Sequence, residues 1–508
     1  MLIKVSSATH TGLVSVGVEV EIDVASRGMP GFEIVGLPDK AVEESKERVR
    51  TAINNSRIEF PPRKITVNLA PGDIPKEGSF YDLPIALGII AIVNRLKVPE
   101  NSLFFGELSL DGNLRHTRGA ILMALFAKEN GFKKLFVPAE SANEAAILKD
   151  VEVYGVPSLE ALVSHLLGIK KLEPAVYRET QDDDLGVEFD MYEVIGQEQA
   201  KRAVEIAAAG GHNLLMVGSP GIGKTMLARA MPGILPRLNE EESLEVTKIY
   251  SVAGRISPNS SLVTTRPFRS PHHTISQVGL IGGGTRPKPG EISLAHDGVL
   301  FLDEFNEFPR SVLEALRQPI EDGVVTISRS MEQASYPARF MLITSANPCP
   351  CGYLNHPTKA CTCTPREVEK YRKRVSGPIL DRIDLHVEVP AVDIEKLSED
   401  NRAKAMLESS SNIRSRVEKA RKYQTERFKN EKIHLNSAMH NKQIKKYCPL
   451  DKETKQLLTR AASKYNLSAR GYYKLIKITR TIADLAGDEN IKVDHMAEAF
   501  QFRPKSYE

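Results

Sequence analysis

The residues best suited to chemistry form a glycine-rich turn that ends in a lysine and a threonine. From Gly218 to Thr225 the chain reads Gly-Ser-Pro-Gly-Ile-Gly-Lys-Thr, which matches GxxxxGK(S/T) at every required position. The apolar run Leu214–Val217 precedes the turn, and the helix-forming run Met226–Ala230 follows it. A turn between a strand and a helix can bind phosphates through its backbone amides and the helix dipole.

This turn predicts a site for a nucleoside triphosphate and Mg²⁺. In such a site Lys224 contacts the β- and γ-phosphates, and Thr225 holds the metal ion. A glycine-rich turn that contains Lys-Thr by chance is the alternative. The predicted nucleotide-binding residues are Gly218, Ser219, Pro220, Gly221, Ile222, Gly223, Lys224, Thr225 and Asp303.

A second motif argues against chance. Val299–Leu302 is an apolar strand that ends in two acids, Asp303 and Glu304. Ligands of open α/β sheets bind beyond the carboxyl ends of the strands, so Asp303 can bind Mg²⁺ there. Glu304 is placed to orient and deprotonate the attacking water. Together the two motifs predict an ATPase with ATP and Mg²⁺ as cofactors.

A polar residue also follows the next predicted strand, Phe340–Thr344. The chain continues as Ser345-Ala346-Asn347-Pro348, and the amide of Asn347 can hold the lytic water from the adjacent strand end. A turn asparagine before Pro348 is the alternative. We predict that Asn347 acts in catalysis.

Strands and helices alternate in the parts of the chain that must position these residues. Residues 1–168 predict an α+β domain, and the polar segment 169–191 reads as a linker. Residues 192–393 predict a parallel sheet covered by helices, and residues 394–508 predict helices alone. The predicted core strands are Asn213–Val217, Gly298–Leu302, Phe340–Thr344 and Leu385–Val389.

Composition is that of a globular chain without a membrane segment. The 508 residues are 41% hydrophobic and 26% charged. The N-terminus has no long apolar stretch, so no secretory signal is expected. The longest apolar run, Leu83–Val93, is shorter than the roughly 20 residues of a membrane span and predicts a buried helix. We expect a cytoplasmic location.

Charge is unevenly distributed. The whole sequence carries a net +3, whereas residues 401–508 contain 24 Lys and Arg against 12 Asp and Glu, a net of +12. A basic C-terminal part is typical of proteins that bind a polyanion such as nucleic acid. A solvated helical surface explains the same charge, so charge alone does not decide between the two.

Four of the five cysteines lie within fifteen positions, and Cys448 stands apart. The clustered residues are Cys349, Cys351, Cys361 and Cys363. Four thiolates can hold one tetrahedral, structural Zn²⁺, although the CxC spacing is tighter than the common CxxC. His356 is a substitute ligand if one cysteine faces away. Four packed or free cysteines are the alternative.

Two arginines complete a resemblance to a superfamily. Arg382 precedes the last core strand, and with the motifs above it makes the sequence resemble the AAA+ superfamily. There, such an arginine reaches the γ-phosphate bound by the neighbouring subunit, and Arg470 matches a sensor-2 arginine at a lid-helix start. An ion pair with Asp381 or Asp384 is the alternative for Arg382, and a plain surface position for Arg470. The predicted catalytic residues are Glu304, Asn347, Arg382 and Arg470.

Longer segments narrow this resemblance to one family. They are Val35–Val42, Lys64–Pro71, Arg266–His273, Pro289–His296 and Gly377–His386. They resemble the YifB/ComM family of magnesium-chelatase-like AAA+ ATPases over nearly the whole chain. The resemblance implies a Lon-protease-like N-terminal domain (1–168), a linker (169–191), an AAA+ P-loop core (192–393) and an all-helical lid (394–508).

The same resemblance implies a hexameric ring that acts on DNA. Its best-known members drive branch migration during recombination of incoming DNA in natural transformation. A magnesium-chelatase-type motor for metal insertion is the alternative, although chelatase ATPase subunits lack a Lon-like domain. Two insertions carry basic residues suited to DNA in a ring pore, Arg286 and Lys288 in one and Arg329 in the other. Packing between subunits is their alternative role.

The N-terminal domain is expected to lack peptidase activity. Lon-type proteases use a Ser/Lys pair, and the best register places Phe80 at the serine and Ile121 at the lysine. Neither side chain can act as nucleophile or base. Ser79 is adjacent, so a shift of one residue restores a serine but no lysine. The domain is expected to support assembly or bind DNA.

Overall fold

Alternating apolar residues help to build two larger sheets and one two-stranded pair in the described N-terminal third of the chain. The computed structural model describes residues 2–27, 29–76, 78–178, 188–257, 262–284, 287–328, 333–391 and 408–503. The strands of this part are β1 (Leu2–Thr11), β2 (Val14–Val24), β3 (Gly31–Val35), β4 (Lys64–Ala70), β5 (Ser102–Phe104), β6 (Glu107–Leu108), β7 (Leu114–Arg115), β8 (Lys134–Pro138) and β9 (Glu152–Val156). Strands β1, β2, β4 and β3 form one sheet in that order, and β5, β8 and β9 form a parallel one. Strands β6 and β7 form the two-stranded pair.

Helices pack on these sheets. They are α1 (Lys40–Glu43), α2 (Ser45–Asn55), α3 (Asp82–Asn94), α4 (Ala120–Glu129), α5 (Ala142–Ala145) and α6 (Leu159–Leu166). The long apolar run becomes α3, as the sequence predicts, and it packs against β1, β2 and α2. Because apolar residues cover all sides of α3, the helix is buried from Asp82 to Ala91.

Apolar side chains fill the positions predicted for a peptidase pair. The Phe80 ring lies 4.7 Å from the Tyr81 ring and 4.8 Å from the Phe105 ring, centroid to centroid. Ile121 is fully buried. The hydroxyl of adjacent Ser79 donates to a carboxylate, Glu107. The contacts described for Phe80 and Ile121 are packing contacts, and the one described for Ser79 is with a carboxylate rather than with a lysine.

The next part of the chain builds a five-stranded parallel sheet. The strands of the sheet are β10 (Leu214–Val217), β11 (Phe268–Arg269), β14 (Val299–Leu302), β17 (Met341–Ala346) and β18 (Leu385–Glu388). Two separate hairpins are formed by β12 (Gly282–Gly283) with β13 (Lys288–Pro289) and by β15 (Val324–Ser328) with β16 (Gln333–Pro337). The sheet order is β11-β14-β17-β10-β18, and every neighbouring pair is parallel. All carboxyl ends therefore meet at one edge, and all amino ends meet at the opposite edge.

Helices cover both faces of this sheet, which explains its continuous apolar strands. They are α7 (Glu198–Gly210), α8 (Lys224–Ile234), α9 (Glu240–Ala253), α10 (Gln277–Ile281), α11 (Glu291–Leu294), α12 (Arg310–Ala315), α13 (Arg317–Asp322), α14 (Pro365–Arg372) and α15 (Gly377–Leu380). Helices α7 and α8 share one apolar cluster with the C-terminal helices, whereas α12 packs on the other side with β15 and β16.

The two hairpins, β12–β13 and β15–β16, pack against each other. The Tyr336 hydroxyl donates to the backbone carbonyl of Pro287 at 2.6 Å. Lys288 is exposed on β13. Arg286 and Arg329, the other two basic residues predicted to suit DNA, lie outside the described residues. The hairpins thus form one joined surface feature.

The C-terminal part is helical throughout residues 408–503. Its helices are α16 (Ser410–Arg427), α17 (Asn441–Tyr447), α18 (Lys452–Lys464), α19 (Ala469–Ala486) and α20 (Val493–Gln501). Helices α16 and α19 pack on α7 of the core. Among the described residues, none of the helices combines the length and apolarity needed to cross a bilayer.

The N-terminal part is joined to the core through helix α9. The Ser251 hydroxyl donates to the buried carboxylate of Glu144 at 2.5 Å and accepts from the backbone N–H of Gly119 at 2.9 Å. Leu244 and Val252 of α9 pack against the apolar cluster under α4 and β8. The predicted domain limits stay predictions, since residues 179–187 and 392–407 around them lie outside the described part.

Candidate nucleotide site

The glycine-rich turn leaves an open concavity between β10 and α8. Gly223 caps the helix with φ 93°, a left-handed conformation that glycine adopts without strain. A Cβ built on Gly221 or Gly223 would meet no atom within 4 Å. The free N–H groups of the first turn of α8 begin at this concavity, where an anion is favoured. The turn therefore has room and donors for a phosphate group.

Lys224 is folded back onto this turn. Its Nζ donates to the carbonyls of Gly218 at 2.6 Å and Ser219 at 2.8 Å, and to the Asn347 side-chain oxygen at 3.3 Å. Burial lowers the pKa of Lys224 to about 8, although the negative charges of Asp303 and Glu304 act to raise it. A cation held only by neutral acceptors is suited to an incoming triphosphate.

Asp303, at the carboxyl end of β14, is held by two hydroxyls. Thr225 donates to its Oδ2 at 2.8 Å, and Ser345 donates to its Oδ1. Carboxylate and hydroxyl oxygens are the hard ligands that Mg²⁺ prefers, and Mg²⁺ keeps several waters and phosphate oxygens as its other ligands. Thr225 and Asp303 therefore fit the predicted metal position.

Glu304 follows with φ 53°, so its carboxylate leaves the strand in a different direction from Asp303. Its Oε2 lies 3.3 Å from His273 Nδ1, and the ring of His273 is tilted by 33° against that of His272, with centroids 4.1 Å apart. The Glu304 side chain is 54% exposed. It can reach water at the mouth of the concavity, as a residue that orients and deprotonates water must.

Asn347 joins this group from β17. The strand ends at Ala346, whose carbonyl accepts from the backbone N–H of Gly218 at 3.1 Å, so the phosphate turn and the end of β17 are directly bonded. The structure thus brings together Lys224, Thr225, Asp303, Glu304 and Asn347 at the carboxyl edge of the sheet.

The two predicted arginines lie at the other edge. Arg382 precedes β18, and its backbone carbonyl accepts from Asn213, the residue before β10, at 3.0 Å. Because β10 and β18 are parallel from Leu214 and Leu385 onward, Arg382 stands at the amino edge. Four residues at about 3.3 Å each separate the two edges by roughly 13 Å. Arg382 is not among the residues gathered around Lys224.

Glu321 holds both arginines. Its carboxylate lies 2.7 Å from Arg382 and 2.9 Å from Arg470, which stands in the first turn of α19. An ion pair was the alternative considered for Arg382, and the partner is Glu321 rather than Asp381 or Asp384. The Nε of Arg382 is buried without a hydrogen-bond partner. Arg470 also lines a cavity of about 580 Å³ with Lys442, Lys474 and Lys477.

The four clustered cysteines meet in space directly after Asn347. Their sulfur atoms lie within 4.8 Å of one another. Backbone N–H groups of Tyr353 and Thr362 lower the pKa of Cys351, whereas burial and the neighbouring thiols raise the pKa of Cys361 and of Cys363. His356 is occupied elsewhere, since its Nδ1 accepts from the backbone N–H of Thr358 at 3.2 Å. The cluster offers four soft ligands to one metal ion.

Comparisons of the sequence with known proteins identify the family of this chain. A family model described as magnesium chelatase, subunit ChlI, matches residues 190–397. Models described as subunit ChlI of Mg-chelatase and as its C-terminal part match residues 18–141 and 407–503. Competence protein ComM of Haemophilus influenzae is 41% identical over 504 residues, which cover 98% of this chain and 97% of the relative. The chain belongs to the YifB/ComM family of magnesium-chelatase-like AAA+ ATPases.

Two further relatives support the family and the fold. Uncharacterized protein YifB of Escherichia coli is 42% identical over 506 residues, 98% of this chain and 97% of the relative. Lon protease 2 of Bacillus subtilis is 27% identical over 149 residues, 28% of this chain and 26% of that protein. The YifB/ComM chain thus combines a Lon-protease-like N-terminal α+β domain, an AAA+ P-loop core with a parallel sheet, and a helical C-terminal lid.

As a YifB/ComM protein the chain is an ATPase that uses ATP and Mg²⁺. When bound, ATP supplies the phosphoryl group that is transferred, and Mg²⁺ neutralises part of the charge of that group. We propose that the phosphate turn and Lys224 bind the triphosphate, and that Thr225 and Asp303 hold the metal ion. In this proposal Glu304 takes the proton of the attacking water, and Asn347 orients that water.

Nucleotide affinity should fall as the pH rises above about 8. In our proposal the charged form of Lys224 binds the triphosphate, and because its pKa is about 8 in the free protein, this lysine is already charged below that pH. Above it, binding must take up a proton and weakens by at most about tenfold per pH unit. The Kd of a fluorescent ATP analogue with Mg²⁺, measured from pH 7 to 9.5, tests this. Lys224→Arg should give a flat profile, and a flat wild-type profile would contradict the prediction.

Sequence reasoning left three contacts of the site unpredicted. Ser345 on Asp303, His273 beside Glu304, and Glu321 between the arginines all come from distant parts of the chain. For His273 the sequence offers one signal, its segment Arg266–His273, which carries part of the family resemblance but indicates no role for the histidine. For Glu321 the sequence holds no signal.

Proposed function

We propose that this ATPase is a subunit of a hexameric ring motor that acts on DNA and drives branch migration of recombination intermediates. One observation supports the ring above all others. The residues around Lys224 and the pair Arg382 and Arg470 lie at opposite edges of one sheet, so one chain cannot apply both to the same nucleotide. A neighbouring copy that presents its arginine edge would complete the site.

The cleft beside Arg470 suits such an interface. It is lined by Lys442, Arg470, Lys474 and Lys477, with no acidic side chain among its lining residues. The triphosphate of a neighbouring subunit carries the opposite charge, so the field of this cleft favours it. In our proposal Arg382 acts as the arginine finger and Arg470 as a sensor-2 arginine, both toward the neighbour's nucleotide.

Two features support DNA as the substrate. The joined hairpins β12–β13 and β15–β16 present exposed Lys288, and residues 401–508 carry a net charge of +12. Basic side chains on a shared surface bind phosphate backbones without reading sequence. Competence protein ComM of Haemophilus influenzae is named for competence, which agrees with work on incoming DNA.

A magnesium-chelatase-type motor is the second candidate, because the matching family models carry that name. The basic C-terminal part and the exposed Lys288 favour DNA. The deciding experiment is an ATP-dependent branch-migration assay on a synthetic four-way junction. Movement of the junction, with ATP turnover raised by forked DNA and unchanged by a porphyrin or by casein, is the expected result. Turnover raised by the porphyrin alone would reject the DNA motor.

Lys288→Ala should weaken DNA binding without changing basal ATP turnover. If Lys288 contacts a phosphate, its loss should make the dependence of log K on log salt shallower by about one unit per contact. A salt titration of DNA binding measures this slope. Lys373→Ala, which removes a 74% exposed lysine from the end of α14, away from both the hairpins and the N-terminal domain, is the matched control and should leave the slope unchanged. Equal slopes for wild type and Lys288→Ala would remove the hairpins from the DNA surface.

For the four-cysteine cluster we propose Zn²⁺ as a structural cofactor. Thiolate ligands in a tetrahedral set select Zn²⁺ over the hard Mg²⁺ of the nucleotide site.

A further inference from the structure

The loop that carries the four cysteines has little else to hold its shape. Between Asn347 and Thr364 the chain forms no helix or strand, and only Cys349 of the four cysteines is fully buried. Such a segment buries too little apolar surface to offset the entropy of ordering it. Its fold therefore requires a crosslink of another kind.

Geometry favours a metal ion over disulfides. Sulfur atoms bound to one tetrahedral Zn²⁺ at 2.3 Å stand about 3.8 Å apart. Cys349 Sγ lies 3.4 Å from Cys351 Sγ and 3.7 Å from Cys361 Sγ. The sulfur atoms of Cys351 and Cys361 are 3.5 Å apart. A disulfide needs about 2.05 Å. The backbone N–H of Cys351 also points at Cys363 Sγ, at 3.4 Å, and so helps to stabilise negative charge on that sulfur.

The same loop touches the phosphate turn. Gly352 follows Cys351 with φ +81°, and a Cβ built on it would lie only 2.7 Å from Pro220 Cδ. Pro220 is the third residue of the turn that receives the triphosphate. The loop thus packs against the phosphate turn at Gly352, where no side chain fits between the two segments. The loop itself begins at Asn347.

The continuation of the loop reaches the residues after Glu304. Helix α14 starts at Pro365, two residues after Cys363, with Thr364 as its N-cap. The carbonyl of Tyr371, near the end of α14, accepts from the Asn306 side chain at 3.0 Å, and Arg374 pairs with Glu307 at 2.7 Å. One segment therefore begins at Asn347 and contacts two other loops of the nucleotide site, the phosphate turn and the loop after Glu304.

We infer that the zinc-bound loop is a brace that fixes the phosphate turn and Asn347 in their binding geometry. This inference rests on the zinc proposed above. Binding of Zn²⁺ supplies the folding free energy that the loop lacks, and the loop transmits it to Pro220 through the contact at Gly352. Nucleotide affinity then depends on a metal that never touches the nucleotide.

The first test combines zinc content with nucleotide affinity in the full-length protein. We expect one zinc per chain by mass spectrometry of the metal, its loss in Cys361→Ser, and about tenfold weaker binding of a fluorescent ATP analogue with Mg²⁺. Cys448→Ser is the matched control, since Cys448 is buried elsewhere, beside Met439. If Cys361→Ser fails to fold, the zinc of the wild type is removed with a zinc-selective chelator and restored, and affinity should fall and return.

The second test separates the brace from the metal. Gly352→Ala should keep its zinc but weaken nucleotide binding, because the added methyl group collides with Pro220. Gly131→Ala is the matched control: Gly131 also has a positive φ, +77°, but a Cβ there meets no atom within 4 Å. Both substitutions strain the backbone alike, and only the first should change the Kd.

Each outcome decides one of the two proposals. A wild type without zinc overturns the zinc site and the brace with it. A wild type whose zinc is lost in Cys361→Ser, with unchanged nucleotide affinity there and in Gly352→Ala, keeps the zinc and overturns the brace.

Discussion

Glu304→Gln is expected to lower steady-state ATP turnover at least about a hundredfold while ATP binding stays intact. Glutamine has the shape of glutamate but cannot take a proton, and removing general-base catalysis costs about 10²–10⁴ in rate. Lys224, Thr225 and Asp303, which we assign to phosphate and metal, do not change. Turnover by phosphate release and the Kd of a fluorescent ATP analogue, measured on the same sample, give the two quantities.

Glu307→Gln is the matched control for this substitution. Glu307 lies three residues further along, is exposed, and pairs with Arg374 at 2.7 Å rather than facing the concavity. We expect it to keep most of its turnover. Normal turnover in Glu304→Gln would remove Glu304 from the chemical step. Lost ATP binding in Glu304→Gln would instead place Glu304 among the residues that hold the nucleotide.

Arg382→Ala should reduce turnover about a thousandfold or more, again with ATP binding retained. An arginine that neutralises charge on the transferred phosphoryl group contributes about 10³–10⁵ in rate. Since Arg382 lies at the amino edge of the sheet, away from the phosphate turn of its own chain, its loss should leave the Kd of that chain unchanged. Turnover and Kd of the purified variant test both expectations.

Mixing variants tests whether Arg382 acts between subunits. Lys224→Ala chains lack the nucleotide lysine but keep Arg382, so assembling them with Arg382→Ala chains should restore a fraction of the turnover. Arg317→Ala is the matched control, because Arg317 lies on α13 like Glu321 but pairs with Glu314 of α12. This variant should remain active alone. If no mixture recovers activity, Arg382 works within its own chain, through its ion pair with Glu321.

Sequence alone predicted the strands that carry the site closely. Strand β14 was expected at Gly298–Leu302 and is found at Val299–Leu302, and β17 was expected at Phe340–Thr344 and is found at Met341–Ala346. Strands buried on both faces are continuous apolar runs, so they stand out from the polar turns that follow them. The placement of Lys224, Thr225, Asp303, Glu304 and Asn347 at one edge then follows from parallel pairing.

Contacts between distant segments could not be predicted in this way. Strand β11 is only two residues long, Phe268–Arg269, which is too short to show any periodicity. Its register against β14 nevertheless carries the chain to His273 beside Glu304. Arg470 and Glu321 are 149 positions apart, and only the packing of α19 on the core brings them together. Tertiary packing, which single-sequence patterns do not encode, decides such pairs.

The junction at α9 has a practical consequence for anyone who shortens this protein. Removing the first 178 residues would strip the cover from Leu244 and Val252 and leave the Ser251 hydroxyl without Glu144 and Gly119. Newly bared apolar surface of this kind promotes aggregation. The core therefore depends on the N-terminal domain to cover this apolar surface, and a fragment that begins after residue 178 should be prone to precipitate.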